Sequence, residues 1–142
     1  MKCQEDIIKL AWSKFKAAES LLANGFVDES YYIGGYTIEL LLKANVCKCL
    51  KIDDLFDEKS KWFQKLKYPQ TFKIHSLESL LILSGLYVEW DNKLGTPSFK
   101  STWSKVGDWS EESRYLTGKN LKDVQDFLTS VKEISQWIEG HL

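Results

Sequence analysis

The segment YYIGGYTIELLLKANVCKC, Tyr31 to Cys49, constrains this chain more than any other stretch of it. Tyr31, Gly35, Ile38, Leu42, Val46 and Cys49 recur every three or four positions, the spacing of one face of an α-helix. Two features cut against that helix. Each of the adjacent glycines, Gly34 and Gly35, costs a helix interior about 0.5–1 kcal/mol relative to alanine. Glu39 puts a carboxylate among leucines, which is unfavourable unless it finds a partner. The glycines are expected to let a large side chain or another backbone approach closely, and the glutamate to face a buried donor.

The flanking sequence continues the helical pattern. Ile8, Trp12, Phe15 and Leu22 form one stripe on a first helix that stops at Asn24-Gly25, and the second helix runs from about Asp28 to Leu50. The short break between them predicts antiparallel neighbours. Lys51 to Lys73 is charged and aromatic and reads as an insertion with one short helix near Glu58–Leu66. HSLESLLILSG predicts a third helix capped by Ser76 and ended by Gly85, and Tyr87 to Gly118 reads as a loop packed down by Trp90, Trp103 and Trp109. A last helix starts at Asn120, with Asp123 at its third position, and carries Leu121, Val124, Leu128, Val131, Ile134 and Ile138 on one face. No period-two alternation appears, so the expected architecture is all-α: one domain over 1–142, an antiparallel four-to-five-helix up-and-down bundle with 51–73 inserted.

The totals narrow the function. Nineteen basic against twenty acidic residues leave no global field to attract nucleic acid or membrane. No apolar run approaches the ~18 residues that span a bilayer, and MKCQEDIIKLAW turns charged too soon for a signal peptide. Three cysteines cannot complete a disulfide framework. Together these predict a soluble, reduced, cytoplasmic protein. Cys47 and Cys49 point about 200° apart on a helix and read as buried free thiols rather than metal ligands. No spacing in the chain suits a metal, and no cofactor is expected.

Among titratable residues, His141 is penultimate and reads as frayed and solvated. His75 stands directly before the third helix, either as a backbone-bonded entry residue or as an acid/base or phosphate-contacting group. Arg114 is the one arginine beside eighteen lysines. Its planar five-donor fork binds carboxylate or phosphate in a way lysine does not. A buried Glu39–Arg114 pair is therefore expected.

Three motifs carry a family resemblance. GYTIELLLKA (Gly35 to Ala44), HSLESL (His75 to Leu80) and WSEESRY (Trp109 to Tyr115) are similar, in order and spacing, to motifs of HEPN domains (higher eukaryotes and prokaryotes nucleotide-binding). The resemblance implies a homodimeric helical bundle. It implies either a metal-independent endoribonuclease, with arginine and histidine in an Arg-x(4–6)-His motif, or a non-catalytic protein accompanying a minimal nucleotidyltransferase. YLTGKNLKD after Arg114 holds no histidine, so the reading is a non-catalytic nucleotide-, RNA- or partner-binding protein of a prokaryotic toxin–antitoxin or defence system. Its site is expected at Arg114, Glu39, His75, Lys43, Trp109 and Tyr115. A ribonuclease toxin using a non-standard general base, and a pure protein-interaction module, are the alternatives.

Overall fold

Why Gly34 and Gly35 lie in a helix is answered by what crosses them. The computed structural model describes residues 3–142; Met1 and Lys2, the start of the segment judged against a signal peptide, lie outside it. A Cβ on Gly34 would stand 2.6 Å from Leu128 Cδ2, and one on Gly35 would overlap the Trp109 indole. Large side chains, not backbones, fill the space.

Both glycines sit in α2 (Val27–Leu50), whose residues 37–47 are all buried. A helix buried around its whole circumference belongs at the centre of a bundle, although this one carries Thr37, Glu39, Lys43 and Asn45 among its apolar residues. Against it lie α1 (Gln4–Ala23) and α7 (Leu121–Glu139). The α1–α2 hairpin is antiparallel, as the short link predicts: Ser30 Oγ donates to Ala18 O at 2.7 Å, while the Gln4 amide at the other end donates to Asp53 Oδ1 at 3.1 Å. α7 runs parallel to α2, since Tyr31 packs on Phe127 at 4.3 Å and Asn45 Nδ2 donates to Ile138 O at 3.4 Å.

The expected stripe on α1 is displaced. Ile7, Ala11, Phe15 and Ala18 are buried, whereas Ile8, Trp12 and Leu22 only flank the core. The alanines let α1 approach α2 closely, and a search for bulky residues passes over them. On α7 the stripe is buried from Val124 to Ile138 and includes Phe127, but Leu121 is exposed in the first turn.

The middle of the chain is more ordered than expected. α3 (Lys61–Lys65) falls inside the short helix anticipated there and is capped by Ser60 Oγ, which accepts from the Phe63 amide at 3.1 Å. α4 (Leu77–Leu83) packs on α2 and is capped by Ser76. Tyr87 to Gly118, expected as a loop, instead folds into α5 (Tyr87–Lys93) and α6 (Pro97–Val106), then a 3-10 turn at Glu111–Tyr115. Pro97 occupies the first turn of α6, where its missing N–H costs nothing. These helices are too short for a stripe to repeat. Trp90 and Trp103 nevertheless pack edge to face at 5.3 Å, so the indoles do hold the region down.

Seven α-helices and no strand make the described residues all-α. No helix among them is long and apolar enough to cross a membrane. The cysteines are free, but Cys49 is exposed, because α2 leaves the core in its last turn; only Cys47 is buried. His141 is not frayed. Its Nε2 meets Glu89 Oε2 at 2.6 Å, its Nδ1 meets Trp137 O at 2.8 Å, and its carbonyl accepts from Lys48 Nζ.

Candidate functional site

Glu39 is 1% exposed, and the expected Glu39–Arg114 pair is absent. Its partners come from nearer elements. Lys43, one turn later on α2, brings Nζ to 3.5 Å from Glu39 Oε1, and His75 Nδ1 lies 2.5 Å from the same oxygen. His75 reaches in because it immediately precedes the Ser76 cap, where Ser76 Oγ accepts from the Ser79 amide at 3.2 Å and fixes the entry of the chain into α4.

The other imidazole nitrogen is also engaged. His75 Nε2 lies 3.2 Å from Glu111 Oε2, on the 3-10 turn of the WSEESRY motif. His75 thus bridges a carboxylate of α2 and one of the turn before α7. Glu39 Oε2 is buried without a hydrogen-bond partner. Burial pushes the Glu39 carboxyl above its ordinary range, against the opposing pull of Lys43 and His75.

One turn before Glu39, Tyr36 hydrogen-bonds Tyr32 hydroxyl to hydroxyl at 3.1 Å and meets Trp109 edge to face at 5.1 Å. Burial, the Tyr32 bond and the charges of Glu39 and Glu111 push its phenol far above the ordinary range. Trp109 Nε1 donates to Tyr32 O at 3.1 Å, which anchors the indole over Gly35.

His75 is the junction of two clefts and its side chain remains 37% exposed. One cleft, of about 370 Å³, is walled by Trp90, Trp103 and Trp109, with Ser76 and Ser110 at its edges. The other, of about 210 Å³, carries Lys43 and Lys73 with Phe56 and Phe72. The half-buried Trp90 and Trp103 on one side and the exposed Lys73 on the other offer a stacking wall and an anion contact around a single imidazole, while Trp109 and Lys43 are buried.

Of the six residues expected at the site, Glu39, His75, Lys43 and Trp109 gather here. Arg114 and Tyr115 do not join them. Both are exposed, with the guanidinium 4.8 Å from the centre of the Tyr115 ring. From this turn Glu111 reaches His75, whereas the Arg114 and Tyr115 side chains lie exposed against each other. Glu111 and Tyr36 were missed. Glu111 lies within a motif in which the lone arginine drew attention, and Tyr36 stands three residues before Glu39, a helical neighbour that spacing alone can find. Among the described residues no group of three or more histidine, cysteine, aspartate or glutamate side chains is placed to hold a metal ion.

Comparison of the chain with protein-family models, curated proteins and solved structures returned no match.

Proposed function

We propose that this protein is a HEPN-like, non-catalytic nucleotide- or RNA-binding protein whose ligand seats at His75. The observation that supports this reading is the position of His75 between a tryptophan-walled cleft and a lysine-bearing one. A base stacks on the indoles, and its phosphate lies toward Lys43 and Lys73. Glu39 orients the imidazole from the core, and Arg114 with Tyr115 offers a second, exposed contact nearer the surface. As the family resemblance implies, the protein acts as a homodimer or beside a nucleotidyltransferase in a prokaryotic toxin–antitoxin or defence system.

A second reading is favoured by one feature. The buried Glu39 carboxyl at His75 Nδ1 would orient the ring of a general base, so a metal-independent endoribonuclease would use His75, with Nε2 released from Glu111 to meet the substrate.

One experiment separates the two. The purified protein is incubated with a labelled mixed-sequence RNA in EDTA, and binding and cleavage are followed together for wild type, His75→Ala and Arg114→Ala. Binding without cleavage, weakened about ten-fold by His75→Ala, is the expected result. Cleavage by wild type but not by His75→Ala establishes the second reading, and no binding by any of the three overturns both.

A further inference from the structure

Between Lys59 and Lys73 the chain carries five lysines and no acidic residue. Against the whole chain's net −1, these five positive charges leave the remainder at −6, so the near-neutral total conceals one strongly basic segment. Two large aromatics of the segment face outward, Trp62 at 40% exposure and Tyr68 at 67%. Lysines attend both: Lys61 Nζ lies 4.6 Å from the centre of the Trp62 ring, and Lys67 Nζ 5.7 Å from that of Tyr68. Phe63, by contrast, is buried and pins α3 down.

The segment ends at the site. Lys73 and Phe63 line the smaller cleft with Lys43 and His75, and Glu58, ion-paired to Lys73 at 3.4 Å, is the only acid on its wall.

We propose that the basic, aromatic arm over 59–73 is a track for single-stranded nucleic acid that leads a strand into the His75 site. This rests on the reading of that site and adds the class of ligand: a strand several nucleotides long rather than a free nucleotide. Exposed rings alternating with lysines along a segment made of one short helix and a 3-10 turn at Pro69–Phe72 match the stacking platforms and phosphate contacts of single-strand binding. A bilayer surface would need an apolar helical face. α3 has five residues, and its one buried ring is turned into the protein, so no such face remains.

The test uses the full chain with a fluorescein-labelled ten-nucleotide RNA, the DNA of the same sequence, AMP, and vesicles of phosphatidylserine and phosphatidylcholine. The variants are K61Q/K65Q/K67Q, W62A and H75A, each checked for an unchanged circular dichroism spectrum and melting curve. The strands are expected to bind more tightly than AMP. The triple variant should flatten the plot of log affinity against log salt by about 2, since each phosphate contact on a single strand contributes a slope of about 0.7. W62A should weaken strand binding about ten-fold, the loss of one stacked base, and leave AMP unaffected. Strand affinity and salt slope unchanged in the triple variant and W62A overturn the track, even where AMP binds and H75A abolishes that binding. Strand binding that needs the arm but is indifferent to H75A upholds the basic surface and overturns its link to the site, and with it the reading of His75. Capture by the vesicles, lost in the triple variant and without strand binding, overturns nucleic acid in favour of a membrane surface.

Discussion

Gly34 and Gly35 are adjacent in sequence and differ in what opposes them. Gly34 meets the end of Leu128, a flexible side chain, whereas Gly35 lies under the face of Trp109, which is also tied to Tyr32 O. Gly34→Ala should therefore be close to neutral, the gain of about 0.5–1 kcal/mol in helix propensity offsetting a small shift of Leu128. Gly35→Ala must displace an anchored indole and should cost about 1–3 kcal/mol or more. Urea unfolding of the two variants side by side checks the difference; equal effects would mean that Trp109 is not held as described. Glu39 adds a pH dependence of known sign. Its carboxyl titrates higher in the folded state than in the unfolded chain, so between its ordinary value of 4.5 and its raised one the folded state binds more protons. Stability from this group is present below that window and falls as pH rises through it. Glu39→Gln removes the titration, and the stability of wild type minus that of the variant should decline with pH over this window. A flat difference would show that Lys43 and His75 fully compensate the burial.

The elements differ in how plainly the sequence announces them, and length decides it. α1, α2 and α7 have 20, 24 and 19 residues, enough for an apolar face to repeat over several turns. α5 and α6 have seven and ten, and what orders them is non-local: Trp90 against Trp103, and Phe99 against Trp137 of α7 at 5.4 Å. No window of neighbouring residues carries that information. The site follows the same logic. His75 was legible through its cap and Glu39 through its incongruity among leucines, but their meeting was not, because it depends on where α4 lands on α2. The preference for Arg114 as the partner of Glu39 used the right chemistry and the wrong geometry, for a lysine one turn away and a histidine at a helix entry arrive first. α4 is short and leans on its cap, so Ser76→Ala should lower stability by about 1 kcal/mol. Ser76→Asp, which keeps an acceptor and adds a charge favourable at a helix N-terminus, should not. Urea denaturation distinguishes them, and an Ala variant as stable as wild type would remove the cap from the account of how His75 is placed.

Across the whole molecule, the centrality of α2 has a dynamic consequence. α1, α4, α7 and the 111–115 turn all pack on it, so its buried stretch from Thr37 to Cys47 cannot open without parting the bundle. The 59–73 arm is of another kind. α3 shares no broad contact with any other helix, and Phe63 is its only buried residue. Free energies of local opening track such differences in burial. Native-state hydrogen exchange should thus find the amides of 37–47 exchanging only by global unfolding, with a steep dependence on urea. Those of 61–65 should exchange through local opening, orders of magnitude faster and nearly independent of urea. A common protection and a common slope for both would make the arm part of the cooperative core, and would mean that substitutions in it alter the fold as well as the surface. Separate behaviour is what lets a basic, aromatic strand of chain change its contacts with a ligand while the helix that holds Glu39, and through it His75, stays where it is.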